Sequence, residues 1–269
     1  VFKKDDPIIV SKGGGMVWKV ENDSFKRVDN SYNHKMTNQS SVFVRNDTIM
    51  KFGGYGYWSN RNFFTYYSET TKEWEYFLIN PQSALPPGVS HVNSSCSEDY
   101  FYFSGGIKRD ARNPLKKITN DHVWRFNFKE KMWIDLGTAK FVSSPNEQLL
   151  DIRNGRVLAK NEFNDGTPIS TFIHDYENNE ISLIMGFNPS LSIKNGFVAN
   201  DTLYNYKNNK LTRLGLTHYL TNDLTKQGAM YIDTKALFDR LTQFTAVALI
   251  LLFGVVLFLY SKNRKRPRV

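Results

Sequence analysis

The stretch IMKFGGYGYWSNRNFFTYYSETTKEWEYF, Ile49 to Phe77, decides the fold. It opens with an apolar strand that ends in a double glycine, Gly53 and Gly54. A short aromatic loop follows, then a second strand over Phe63 to Tyr67, a polar turn over Ser68 to Lys72, and a last strand carrying Trp74. Glycine admits backbone angles and close approaches that no side chain tolerates. Alternating aromatics suit a pleated strand packed on both faces of a layered sheet. The polar turn separates two runs of period two, as in a hairpin.

The pattern recurs. Tyr100 to Gly106 reads YFYFSGG, and after a longer loop come a strand over Val123 to Phe128, a turn at Lys129 to Lys131, and Trp133. The double glycines lie 52 positions apart and the tryptophans 59. Weaker copies run over Met16 to Val28, Phe172 to Ile184 and Leu203 to Leu214. Aligned on Phe25, Trp74, Trp133, Ile181 and Leu211, the second strands are spaced by 49, 59, 48 and 30 residues. The last interval is too short for a four-stranded blade unless strands are lost. A unit of strand, Gly-Gly, strand, turn and Trp over roughly 50 residues resembles a kelch repeat, the blade of a galactose-oxidase-like β-propeller. The resemblance covers Met16 to Leu214 and is best in the two Gly-Gly units. It implies an all-β, kelch-like β-propeller, incomplete or degenerate, with about four or five blades visible.

Taken in order, residues 1–15 start without Met and lack the charged, apolar and cleavage regions of a signal peptide. The first hairpin reads as the second half of a blade, so the missing strands are expected before Val1, in a longer protein. The best blade runs from Ser40 to Phe77, a Pro-rich connector from Asn80 to Gly88, and the next blade from Val92 to Leu136. A degenerate blade spans Glu147 to Ile184, with an Asn154–Gly155 hairpin turn, and a shortened one spans Asn188 to Leu214, with a second Asn-Gly at Asn195–Gly196. Leu216 to Tyr231 offers either a closing strand or a tether. The expected domains are a propeller over 1–215, a juxtamembrane connector over 216–240, a transmembrane helix over 241–260 and a basic tail over 261–269.

The span reads LTQFTAVALILLFGVVLFLY, Leu241 to Tyr260. About 20 largely apolar residues suffice to cross roughly 30 Å of hydrocarbon as a helix. The lipid bilayer is therefore the first expected partner. The formal net charge is +9, but Lys262, Arg264, Lys265, Arg266 and Arg268 supply +5 of it. Bulk basicity is thus no argument for nucleic-acid binding, and none is expected of this segment. Positive charge after the span puts the C-terminus in the cytoplasm and the propeller on the extracytoplasmic side, periplasmic or at the cell surface. Gly254 is the only glycine in the span, so no G-x-x-x-G motif argues for a tight helix pair, and homodimerisation stays open.

A search for chemistry returns little. The five histidines (His34, His91, His122, His174, His218) are scattered singly, and Cys96 is the only cysteine. Neither zinc-ligand spacing nor a nucleophile motif is present. No catalytic residue, metal or cofactor is expected, and Cys96 reads as a small buried residue. Trp74, Phe126 and Trp133 read as packing between blades. In an up-and-down blade the two Gly-Gly loops, Tyr55 to Asn62 and Ile107 to Asp121, leave from one face. They carry the candidate ligand-binding residues: Tyr55, Tyr57, Trp58 and Arg61 on the first, Lys108, Arg109 and Arg112 on the second. Exposed aromatics beside a basic loop suit a protein or glycan ligand; the alternative is that the aromatics pack between blades and the charges are solvated. The architecture resembles bacterial kelch-bearing membrane receptors, which implies a binding module for signal transduction rather than an enzyme: a single-pass receptor's sensor. A structural, adhesive or assembly-partner surface protein is the alternative, and a tail-anchored cytosolic kelch scaffold a further one.

Overall fold

The computed structural model describes residues 2–3, 6–11, 14–21, 24–31, 37–140, 148–152, 154–161, 170–185, 187, 196–199, 201–207, 210–221 and 224–264. Their strands form a five-blade β-propeller arrangement of antiparallel sheets. Blade 1 holds Phe2–Lys3, Asp6–Val10, Val17–Glu21 and Ser24–Arg27. Blade 2 holds Ser41–Arg45, Thr48–Phe52, Phe64–Ser68 and Glu73–Phe77, and blade 3 holds Asn93–Cys96, Tyr100–Ser104, His122–Asn127 and Met132–Ala139. Blade 4 holds Gln148–Asp151, Arg156–Asn161, Ser170–Asp175 and Glu180–Ile184; blade 5 has three strands, Gly196–Ala199, Thr202–Lys207 and Lys210–Gly215. The short last interval of the repeat thus reflects a lost outer strand.

Each layer of core lies between two neighbouring blades. Ile8 and Val17 of blade 1 meet Ile49, Tyr67 and Trp74 of blade 2. Phe43, Phe52 and Phe64 of blade 2 meet Phe101, Phe126 and Trp133 of blade 3. Tyr102 and Val123 meet Tyr176 and Ile181 across blades 3 and 4, and Ile152, Leu158 and Ile173 meet Leu203 across blades 4 and 5. Alternation along each strand produces this, because successive side chains point to opposite faces of a sheet flanked on both sides. Trp74, Phe126 and Trp133 are buried packing residues, as the repeat leads one to expect.

One feature departs from the sequence reading. Blade 1 is four-stranded: Phe2–Lys3 and Asp6–Val10 supply strands that were expected before Val1. The run Ile8-Ile9-Val10 after Pro7 was the signal for the second of them. The Asn154–Gly155 turn joins its two strands as expected, both residues at positive φ, but Asn195 of the second Asn-Gly lies outside the described residues.

Of the strand and tether readings of Leu216 to Tyr231, the structure has strands. A short helix, Thr217–Thr221, leads to Leu224–Gly228, which adds a fifth strand to the outer edge of blade 4. Tyr231–Ile232 then adds one to the outer edge of blade 3, opposite Thr138 and Ala139. The Asn179 side chain accepts from Tyr231 N (2.9 Å) and donates to Tyr231 O (3.1 Å), while Met230 is buried between blades 3 and 4. Asp233 alone separates this strap from a 31-residue helix, Thr234–Arg264, and its carbonyl accepts from Leu237 N at 3.0 Å. The helix window Leu237–Val255 is long and apolar enough to cross a membrane, and none of it is buried against the propeller.

Candidate functional site

The double glycine of blade 2 makes a junction that only glycine fits. Gly53 and Gly54 sit at φ +70° and +100°. A Cβ on Gly53 would lie 2.6 Å from Val89 O, and one on Gly54 2.7 Å from the Thr37 carbonyl carbon. Gly54 N donates to Val89 O (2.7 Å), so the connector toward blade 3 is drawn against the loop. Ser90, the next residue of that connector, exchanges backbone hydrogen bonds with Ile107, just past the second double glycine. The two Gly-Gly loops are thereby fastened to one strand of chain, which brings them together on one face.

Each loop is a small hairpin. Tyr55–Gly56 pairs with Ser59–Asn60, and Ile107–Arg109 with Lys117–Thr119. They touch: Asn60 Nδ2 donates to Ile107 O at 2.5 Å, and Arg109 Nη2 donates to the Tyr55 hydroxyl at 3.3 Å. The Arg109 guanidinium also lies 5.5 Å from the centre of the Tyr55 ring and donates to Leu115 O. Tyr55 and Arg109 are therefore half-buried and committed to joining the hairpins.

The tip of the first hairpin is unusual. Tyr57 and Trp58 occupy its two turn positions at φ +47° and +65°. A two-residue turn with both φ values positive is normally Asn-Gly, because a Cβ in the left-handed region costs about 1–2 kcal/mol. Here the tip carries two aromatics instead, 66% and 88% exposed. Tyr55 and Asn38 exchange backbone hydrogen bonds (2.7 and 3.0 Å) and Arg61 N donates to Gly54 O (2.8 Å), which holds the base of the hairpin in place. Neither tip aromatic packs between blades.

The basic residues divide into two sets. Lys108 Nζ pairs with Asp121 at 3.0 Å, and this contact holds the Asp121 carboxyl below its ordinary value. Arg61 is half-buried, its guanidinium 5.9 Å from the centre of the Tyr57 ring, and among the described residues its Nε has no hydrogen-bond partner. Arg112 is exposed; its backbone N donates to Asp110 Oδ1 while its guanidinium points to solvent with no ion pair among the described residues. All seven sequence candidates thus share one end of blades 2 and 3.

A second concavity went unseen in the sequence. The inner strands surround an axial cavity of about 780 Å³, reached from all five blades through residues such as Val10, Ser41, Asn93, Asp151 and Phe197. Ser41 and Ser94 hydroxyls lie 2.6 Å apart, and Ser95 donates to Asp151 Oδ1 at 2.7 Å. Ser and Asn on inner strands look like loop residues in a sequence, and only the arrangement of the blades about one axis brings them together. Cys96 is buried with its thiol pKa pushed up by desolvation, so it sits as an inert packing residue. Among the described residues no group of three or more His, Cys, Asp or Glu is placed to hold a metal.

No protein-family model matches the chain. No curated protein matches it in sequence. Among solved structures, one titled "Structure of YjhT" is similar to it at 13% identity and a TM-score of 0.49, over 72% of this chain and 67% of that one. The propeller assignment rests on the strand pairing described above.

Proposed function

We propose that the chain is a kelch-type propeller that serves as the extracytoplasmic recognition domain of a single-pass membrane protein, with the Gly-Gly hairpin face as its ligand-binding surface. One observation carries this reading: Tyr57 and Trp58 stand in solvent at the tip of a hairpin whose base is tied to Asn38, Val89 and Ile107. Large apolar groups held out of the core in a costly backbone conformation mark a functional surface. Aromatic and basic groups gathered on one face suit a binding role. The basic flank at Lys262 and Arg264, after the apolar helix, supports a cytoplasmic C-terminus and a sensor role for the propeller.

The topology is tested with single cysteines, since Cys96 is buried and will stay silent. In intact cells a membrane-impermeant maleimide is expected to label Trp58→Cys and to spare Lys262→Cys until the cells are lysed. Labelling of Lys262→Cys alone overturns the orientation and leaves the cytosolic, tail-anchored scaffold in its place.

A further inference from the structure

We propose that the ligand of the hairpin face is an anionic polysaccharide, a pyranose chain bearing carboxylate or sulfate groups. This rests on the recognition reading above and narrows it to one ligand class.

The platform comes first. Tyr57 and Trp58 project from a convex tip, and neither lines the axial cavity. An aromatic that anchors a protein partner usually does so within a well-packed, desolvated centre. A flat, freestanding indole instead offers its face, and a pyranose ring offers a matching flat face of C–H groups. The left-handed backbone at both positions and the tied base of the hairpin hold the tip itself in place before a ligand arrives, so little backbone ordering remains to oppose binding.

Charge comes second. The two hairpins carry Arg61, Lys108, Arg109, Arg112, Lys116 and Lys117 against Asp110 and Asp121. Lys108 is neutralised by Asp121, and Arg109 is used up on Tyr55 and Leu115. Arg112, Lys116 and Lys117 are exposed, and their side chains make no hydrogen bond or ion pair among the described residues. Their charge has no internal counterpart, which a neutral glycan would leave unused. The stacking tip and the free cations lie on adjacent hairpins, so a ligand that satisfies both must extend over several sugar units.

The test uses the full chain in detergent micelles and three polymers. Sodium polygalacturonate has pyranose rings and charge, its methyl ester has the rings alone, and poly-L-glutamate has the charge alone. Polygalacturonate is expected to bind at least tenfold more tightly than either comparator. Trp58→Ala should weaken it about tenfold without moving the thermal melt or the residual binding of poly-L-glutamate. The combined Arg112→Gln, Lys116→Gln and Lys117→Gln variant should weaken it further and flatten its salt dependence. Equal affinity for polygalacturonate and poly-L-glutamate, with no effect of Trp58→Ala, would overturn the proposal in favour of an acidic polypeptide. Failure of the folded chain to bind any of the three also overturns it. Neither outcome alters the cysteine-labelling result, so loss of the glycan assignment and loss of the membrane-receptor reading are separable.

Discussion

The Trp133 position of blade 3 and the Phe25 position of blade 1 are the same place in the repeat, yet their surroundings are opposite. Trp133 is 3% exposed and stacks on Phe64 of the preceding blade with ring centres 5.3 Å apart, beside Phe52 and Phe126. Trp74 does the same one blade earlier: its indole N–H donates to Gly15 O of blade 1 at 2.6 Å. Phe25 is 69% exposed, and Ile9 beside it 43%. The difference teaches that this position is a wedge, which blades 2, 3 and 4 drive into the blade before them. Residue type says what the wedge is made of; only the neighbouring sheet decides whether it is buried.

The largest test of that contrast is truncation. Trp133→Ala should cost about 3–5 kcal/mol, the range for removing a buried aromatic. Phe25→Ala should change stability by no more than about 0.5 kcal/mol, as expected of an exposed site. Urea unfolding in micelles measures both, and an equal loss for Phe25→Ala would break the comparison by showing that its face is covered. Next in size is Gly54→Ala, which meets Thr37 backbone at φ +100° and should cost well above about 1 kcal/mol. Gly155→Ala meets only the flexible Glu177 side chain and should cost less.

Asn179→Ala removes both hydrogen bonds to the Tyr231 backbone, worth about 1–2 kcal/mol in a partly buried site. Faster amide exchange is expected at Tyr231 and Lys140, with blade 2 unchanged; exchange that quickens everywhere would mean the strap is part of the global core. A pH-dependent effect concerns Lys51, buried beneath Trp74 with its ammonium 4.1 Å from the ring centre. Desolvation lowers its pKa from 10.5 to about 8. A buried lysine with a lowered pKa destabilises the fold fully below pH 8, and the penalty fades as the unfolded chain also loses its proton near 10.5. Lys51→Met should therefore gain most over the wild type at pH 7 and lose that advantage by pH 10.5. A flat difference would show that the Trp74 ring keeps the charge on Lys51.

Much of this was legible in advance. Gly53–Gly54, Gly105–Gly106, Trp74 and Trp133 mark strand ends and wedges by chemistry that few residues supply, so blades 2 and 3 stand out. Blade 5 does not, because strand loss leaves a short repeat with ordinary residues. The strap was ambiguous for a different reason. Leu224–Gly228 reads LTKQG, whose edge place is supported by the Lys226–Glu180 pair, while Asn179 holds Tyr231 of the next strand. The hairpin face was readable as an aromatic-basic loop pair, but not its left-handed tip, since Tyr57 and Trp58 are poor indicators of a two-residue turn. The axial cavity needed the arrangement of the blades itself.

The strap leaves one residue, Asp233, between the propeller and the long helix. A joint that short keeps the start of the helix beside the last strand of blade 3. A helix of 31 residues is about 46 Å long, against roughly 30 Å of hydrocarbon. Set in a bilayer, it answers a change of thickness by leaning, as mismatched helices do. A lean at its base would act first on the edge of blade 3 that adjoins it. In a bilayer, the tilt of such a helix would bear on what the hairpin face can reach.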